Sequence, residues 1–288
     1  MTHYQNSKEL AQLSLGKATG YSTRYNPDLL QAVPRSLNRD SLHITAATLP
    51  FLGEDVWYGY ELSWLNAKGK PVVAVAEFRF ECTSPNIVES KSFKLYLNSL
   101  NQTVFNCHQD VKDTLIRDLS TCSGSPVKVT LFKVDDCPAL ELTQLSANCI
   151  DELDVEITHY DYQKNLLTEG KSTKIRSTDK TFIEESLVSH LLKSNCLITN
   201  QPDWASVYIT YKGEQISHSA LLKYLISFRQ HNEFHEQCVE RIFCDLQEHY
   251  QLQQLTVFAR YTRRGGLDIN PFRSTHLINA PDARTLRQ

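Results

Sequence analysis

The chain has 288 residues, of which 41% are hydrophobic, and its formal charge is −3. This length allows one large domain or two of ordinary size, and the slight negative charge offers no basic footprint for direct nucleic-acid binding. No apolar run approaches the roughly 20 residues that a membrane span requires, and the polar start at Met1 lacks the apolar core of a secretion signal. Eight scattered cysteines without a C-x-x-C pair indicate reduced thiols, so we expect a cytoplasmic protein without a metal.

The first 50 residues are rich in Asn, Pro, Ser and Thr after a short predicted helix at Ser7–Leu13. We expect an irregular extension that packs on the rest of the molecule. Val56–Leu65 and Pro71–Cys82 are aromatic or β-branched and predict two strands, which the turn-forming stretch Asn66–Lys70 joins into an antiparallel hairpin.

Two helices and a strand follow the hairpin. Phe93, Leu97 and Leu100 recur at helical spacing, and Glu89 stands where that helix begins, a position that favours a carboxylate. Asp110–Leu119 predicts the second helix. The strand predicted over Val127–Val134 completes the first half of the chain.

The second half begins with a strand predicted over Asp151–Tyr162 and then a helix predicted over Phe182–Lys193, where three leucines lie on one side. The later predictions are strands, helices and a final loop, in chain order: Val207–Tyr211 (strand), Ser219–Phe228 (helix), Phe234–His249 (helix), Leu255–Tyr261 (strand) and Arg263–Pro271 (loop).

Between those segments lies a thiol seven residues before a carboxylate, Cys196 and Asp203. An extended run of that length spans roughly 23–25 Å, so the two groups meet only if the chain turns. Pro202 is the natural marker of such a turn because it cannot donate to a strand ladder. The pair is either a nucleophile with a proton shuttle, or a buried cysteine beside a turn-forming aspartate.

The two halves are related by a shift of 128 positions, which superimposes four identities within seven residues. Tyr96 then falls on Tyr224 and Ser99 on Ser227, and the strand at 127–134 falls on 255–262. We interpret the chain as two copies of a βαβ-type module. Each half carries chemical groups that the other lacks, which favours one site built from both halves, although repeats also diverge on their surfaces.

Glu89-Ser90-Lys91-Ser92-Phe93-Lys94-Leu95-Tyr96 resembles the signature of the nitrile reductases that convert 7-cyano-7-deazaguanine to its aminomethyl compound, the QueF family of queuosine biosynthesis. The Cys196–Asp203 segment, Phe234-His235-Glu236 and Tyr261–Gly266 are also similar to this family, in the same order. The resemblance implies an α+β protein made of tandem tunnelling-fold modules, each with an antiparallel sheet and two helices. We place the modules at 51–145 and 146–288, after an extension at 1–50.

The resemblance also implies roles for individual residues. Cys196 would attack the nitrile carbon to form a covalent thioimide, Asp203 would donate a proton, and His235 would assist. The residues expected at the substrate are Val88, Glu89, Ser90, His235 and Glu236. The residues expected along NADPH, of which two are consumed per nitrile, are Ser90, Lys91, Arg264 and Gly265.

These residue types suit that chemistry. A thiolate is a soft nucleophile for a weakly electrophilic nitrile carbon, and a carboxylate accepts two hydrogen bonds from the donor edge of a guanine-like ring. No G-x-G-x-x-G follows a strand, so a Rossmann cofactor site is not expected. Because tunnelling folds close a barrel from several units, we expect a homodimer.

Two other functions remain open from the sequence. A thiol hydrolase of nitriles or amides would release ammonia without NADPH. A non-catalytic purine- or pterin-binding relative would bind its ligand without turnover or a thioimide.

Overall fold

The computed structural model describes residues 20–169 and 181–288. The helix predicted at Ser7–Leu13 lies outside the described residues. The strands are β1 (Ala32–Pro34), β2 (Leu52–Leu65), β3 (Pro71–Glu81), β4 (Asn86–Val88), β5 (Val127–Phe132), β6 (Asn148–Cys149), β7 (Phe182–Asn195), β8 (Pro202–Glu214), β9 (Leu252–Tyr261) and β10 (Leu267–Ser274). The α-helices are α1 (Ser36–Arg39), α2 (Ser90–Ser99), α3 (His108–Ser123), α4 (His218–Ile226) and α5 (His235–His249).

One eight-stranded sheet runs through the described part of the chain in the order β5-β3-β2-β10-β9-β8-β7-β6. Its neighbouring strands are antiparallel except for the short β6, which pairs in parallel with β7. One apolar core lies under α2 and α3, and a second lies under α4 and α5. The α+β architecture expected from the sequence is therefore confirmed.

The predicted hairpin is confirmed, with its turn at Asn66–Lys70. The side-chain oxygen of Asn66 accepts hydrogen bonds from the backbone of Lys68 and Lys70, at 2.9 and 3.0 Å. Gly69 has a φ of +74°, which a residue without a Cβ adopts readily. These two residue types explain why the chain reverses here.

The internal repeat is visible in matching hydrogen bonds. The Tyr96 hydroxyl donates to Asp118 at 2.7 Å, and the Tyr224 hydroxyl donates to Asp245 at 2.5 Å. Apart from the short β4, both halves have the order strand, strand, helix, helix, strand, from β2 to β5 and from β7 to β9. The prediction of a βαβ-type module was wrong in one respect, because these main strands are antiparallel. The division at 51–145 and 146–288 stays a prediction, since β10 pairs with β2 of the first half.

Two predictions for the second half were wrong at its start. Phe182–Lys193 is not a helix but most of β7, which pairs with β8 along its length. A register shift between Ser189 and Leu192 breaks the strand alternation, so the leucines mimic helical spacing. Asp151–Tyr162 is not a strand; it forms loop and turn structure beside the second core.

The predicted loop Arg263–Pro271 was also wrong. Gly265 and Gly266 have φ values of +58° and +72°, as in the two-residue turn that joins hairpin strands, and β10 begins at Leu267. Pro271 pairs with Asp55 of β2, whereas pairing with β9 begins only at Phe272. The missing proline N–H therefore interrupts no ladder on the β9 side.

A buried cluster of five charges joins the N-terminal extension to both halves. Arg35 donates to Asp55 at 2.6 Å, and Arg39 donates to Glu240 at 2.7 Å. Arg273 of β10 contacts both carboxylates, at 2.8 and 2.9 Å. All five side chains are at most 5% exposed. The expectation that the extension packs on the rest of the molecule is confirmed for its described part.

Replacing Glu240 with glutamine should lower the free energy of unfolding by about 3–5 kcal/mol, because buried guanidinium groups lose their counter-charge. Denaturant titration measures the change. Glu248→Gln, on the same helix but in an exposed pair with Lys164, is the matched control and should change stability by less than about 1 kcal/mol. Equal effects of the two substitutions would contradict the importance of the cluster.

Candidate active site

The loop between β7 and β8 carries Cys196, the thiol that lies seven residues before Asp203 in the sequence. The N–H of Cys196 donates to the carbonyl of Gln201 at 2.9 Å, and the N–H of Asn200 donates to the carbonyl of Cys196 at 3.1 Å. Asn200 has a φ of +56°, which asparagine tolerates better than most residues. The predicted turn is present, and Pro202 is the first residue of the strand that follows it.

A cavity of about 460 Å³ opens between the two halves of the chain. Its wall contains eight of the ten residues selected from the sequence: Val88, Ser90, Lys91, Cys196, Asp203, His235, Glu236 and Arg264. The segment that joins the end of β4 to the start of α2 supplies three of them, the β7–β8 hairpin supplies two, and α5 supplies two. A thiol, two carboxyls and an imidazole therefore face one space, although they are distant in the sequence.

Asp203 lies at the centre of the polar contacts in the cavity. One of its oxygens is 3.5 Å from Nε2 of His235 and also accepts a hydrogen bond from Arg264. Burial alone would raise the pKa of Asp203, but the charges of His235 and Arg264 outweigh it and hold the pKa below its usual value. The carboxylate is therefore ionised at neutral pH.

His235 is held by an aromatic neighbour as well as by the carboxylate. Its ring meets the Tyr261 ring edge-on, with 4.2 Å between the ring centres. It is the first residue of α5, so the helix fixes its backbone. This placement keeps the imidazole beside Asp203.

Glu236 is a buried carboxyl with spare hydrogen-bonding capacity. It is 1% exposed, and its Oε1 has no hydrogen-bond partner among the described residues. Burial and the nearby charge of Asp55 raise its pKa to about 7. A buried polar atom without a partner is costly, so this oxygen is suited to accept a hydrogen bond from a ligand.

Two of the selected residues do not line the cavity. The Glu89 carboxylate caps α2 instead and accepts from the N–H groups of Lys91 and Ser92 at 2.8 and 2.7 Å. Burial raises its pKa despite those bonds. Gly265 lies in the β9–β10 turn against the Lys94 side chain, where an added Cβ would lie 3.2 Å from the nearest carbon. Both residues contact parts of the cavity wall: Glu89 caps α2, and Gly265 packs against the side chain of Lys94.

The cavity wall also includes groups that the sequence argument did not select. Among them are an indole, a phenyl ring and a third cation, supplied by Trp57, Phe234 and Lys94. The spacing of Lys91 and Lys94, three residues apart on a helix, was a signal that both share one face. The aromatic residues gave no such signal, because their position depends on how the halves pack.

The cations of the cavity fit a phosphorylated cosubstrate. Lys91, Lys94 and Arg264 all line it. The pKa of Lys94 is lowered by burial and by repulsion from Arg264. A phosphate group would offset this crowding of positive charge, because it adds negative charge and accepts hydrogen bonds.

The fold and the cavity together define a tandem α+β protein with a thiol, carboxyl and imidazole site between its repeats. The family model described as "Nitrile reductase, 7-cyano-7-deazaguanine-reductase N-term" matches residues 21–131, and the one described as "QueF-like protein" matches residues 202–279. An NADPH-dependent 7-cyano-7-deazaguanine reductase of Colwellia psychrerythraea is 66% identical over 290 residues, with all of both chains covered. This chain belongs to the 7-cyano-7-deazaguanine reductase family of nitrile reductases.

The family assignment confirms the resemblance seen in the sequence, including the tunnelling-fold modules. Cys196 lies between the two matched ranges, so its placement depends on the full-length similarity and on the structure. Within the described residues, no helix has both the length and the apolar character needed to cross a membrane.

Proposed function

We propose that this chain reduces the nitrile of 7-cyano-7-deazaguanine to an aminomethyl group, giving 7-aminomethyl-7-deazaguanine for queuosine biosynthesis, with NADPH as the reductant. The observation that carries this function is the convergence of Cys196, Asp203, His235 and Glu236 on one cavity in a member of this family. Incubation of the protein with the nitrile should oxidise two equivalents of NADPH per nitrile consumed, as followed by nicotinamide absorbance. Nitrile consumption without NADPH oxidation would contradict the proposal.

The first step we propose is addition of the Cys196 thiol across the nitrile. A bond forms between Sγ and the nitrile carbon, one carbon–nitrogen π bond breaks, and the thiol proton finishes on nitrogen to give a thioimide. Asp203 is placed to move that proton, because it lines the same cavity as Cys196 and begins as a carboxylate. It accepts the proton from the thiol and passes it to the nitrogen, while His235 holds the carboxylate in position.

Two NADPH molecules, bound in turn, would each supply one of the two hydrides that convert the nitrile to an amine. Lys91 and Arg264 would hold the charged groups of NADPH, beside Ser90 and Gly265. Arg264 contacts Asp203 and Gln201 in this structure, so a cation that would hold NADPH also contacts the proposed proton carrier.

The deazaguanine ring would be recognised by carboxyl and backbone groups. Glu236 offers the unpartnered oxygen described above to the N–H donors of the ring. Val88 and Ser90 also line the cavity, and Glu89 between them fixes the start of α2. We propose that Glu89 acts on the substrate through this positioning of α2.

Asp203→Asn should lower kcat by about 10²-fold, because an amide can neither accept the thiol proton nor return it to nitrogen. Steady-state NADPH oxidation at saturating nitrile measures kcat. The control is Asp113→Asn, an exposed substitution on α3 far from the cavity, which should leave kcat unchanged. A kcat within threefold of the parent protein would remove Asp203 from the proton path.

We further propose that two chains assemble as a homodimer in the cytoplasm. Within the described ranges the edge strand β5 pairs only with β3, and the edge strand β6 has two residues, so both edges of the sheet leave backbone groups for a second copy. The eight free cysteines fit a reducing compartment. Sedimentation should show a dimer, and a stable, active monomer would contradict it.

A further inference from the structure

A second cluster of chemically competent side chains lies outside the cavity, where β6 meets β7. A sulfur of Cys149, a carboxylate oxygen of Asp151 and a ring nitrogen of His190 all lie within 4.8 Å of one another. Within residues 20–169 and 181–288, these three form the one such group of potential metal ligands. Cys149 is exposed, and the other two residues are partly buried, so the cluster is open to solvent.

Strand pairing creates this cluster. The N–H of Ile150 donates to the carbonyl of Val188 at 3.0 Å, which fixes the register of the two segments. Cys149 is the last residue of β6, and Asp151 lies in the turn that follows, where its carboxylate accepts a hydrogen bond from the N–H of His190. His190 stands two residues beyond Val188 and completes the group.

Hydrogen bonds orient two of the three ligands. The Asp151 carboxylate accepts from the Ser189 hydroxyl at 2.6 Å and from the N–H of His190 at 2.9 Å. Nδ1 of His190 lies 2.8 Å from the Ser206 hydroxyl. Such outer contacts to a histidine and a carboxylate are characteristic of metal sites, where they fix the ligand orientation.

The same three residue types could form a nucleophilic triad, but the contacts argue against it. A triad requires a hydrogen bond that the imidazole N–H donates to the carboxylate. Between these two described side chains, no hydrogen bond or ion pair joins the Asp151 carboxylate to the His190 ring, whose Nδ1 faces Ser206 instead. The three groups therefore lie around one point and are not linked by the successive hydrogen bonds of a triad.

We propose that Cys149, Asp151 and His190 bind a transition-metal ion of the zinc class. Thiolate, carboxylate and imidazole are ligands that such ions accept, and a tetrahedral ion would place them roughly 3.3–3.7 Å apart. The three ligand atoms lie within 4.8 Å of one another, so each separation would need to shorten by at most about 1.5 Å. A thiolate and a carboxylate would neutralise a divalent ion, and water would complete its coordination.

The ion would fasten β6, in the segment between the two repeats, to β7. It would bind through a site separate from the reductase cavity, because none of the three residues lines that cavity.

Cobalt(II) is the probe, because it reports tetrahedral geometry and thiolate ligation through its absorption bands. Titration of the full-length, reduced protein should give a thiolate-to-cobalt band that saturates at one ion per chain and is displaced by zinc. Cys149→Ser should abolish the thiolate band and weaken binding by at least about 100-fold. His190→Gln should weaken binding to a similar degree.

Two control variants keep the test specific. Cys107→Ser removes another exposed thiol, and Cys196→Ala removes the thiol of the reductase cavity; both should retain the band. NADPH oxidation by Cys149→Ser at the parental rate shows that this variant is folded. Absence of the band from the parent protein, its survival in Cys149→Ser or its loss in Cys196→Ala would each overturn the proposal.

Discussion

Cys196→Ala should lower kcat/KM by at least about 10⁴-fold, because the covalent route to the amine begins with attack by this thiol. An alanine leaves the shape of the cavity nearly unchanged and removes only the nucleophile. The nitrogen heterocycle should still bind, since Glu236 and the start of α2 remain. The loss should therefore appear in kcat and not in substrate affinity.

NADPH oxidation over a range of nitrile concentrations separates the two quantities. Cys107→Ala is the matched control, because Cys107 is exposed and lies outside the cavity; its kinetics should equal those of the parent protein. Residual turnover by Cys196→Ala above a few per cent of the parent rate would assign the nucleophile to another group.

Glu236→Gln should weaken binding of the deazaguanine by about 10³-fold at pH 8. The amide replaces one acceptor oxygen with a donor, which opposes the N–H groups of the ring and leaves buried polar atoms unpaired. Isothermal titration with 7-cyano-7-deazaguanine measures this, in a Cys196→Ala background that prevents covalent attachment. Glu248→Gln, an exposed change on the same helix, should leave affinity unchanged.

The pH dependence of binding gives an independent check on Glu236. Burial and Asp55 raise its pKa to about 7, while His235 and Arg35 act in the opposite direction. A raised pKa means that the carboxyl gains its proton as pH falls through about 7, so affinity should decline below that pH. Glu236→Gln should lose this dependence. A variant that keeps both the affinity and the pH profile would show that Glu236 does not contact the substrate.

Local patterns in the sequence predicted much of the fold. The β2–β3 hairpin depends on Asn66 and Gly69 at its turn, and the first long helix depends on Glu89 at its cap. Such signals lie within a few residues of the element they specify. The repeat was visible in the sequence because the two halves keep residues with the same structural role. The hydroxyls of Tyr96 and Tyr224 each donate to an aspartate of the following helix.

The failures arose where distant pairing overrides local pattern. A register shift in β7 gave its leucines helical spacing, and Pro271 concealed β10, which is a strand because β2 lies beside it. The site residues also divide into those that local motifs identify and those that only the packing of distant segments reveals. Motifs identified Cys196 and Asp203, but only packing of the two halves shows that Lys94 shares their cavity and that Glu89 is turned inward.

Intact mass of the protein after incubation with 7-cyano-7-deazaguanine, without NADPH, tests the central claim most directly. Addition of the Cys196 thiol across the nitrile loses no atoms, so the mass should increase by that of the whole nitrile. The adduct should be absent from Cys196→Ala, and addition of NADPH should discharge it as the amine. An unchanged mass, or release of ammonia without NADPH, would contradict the thioimide route.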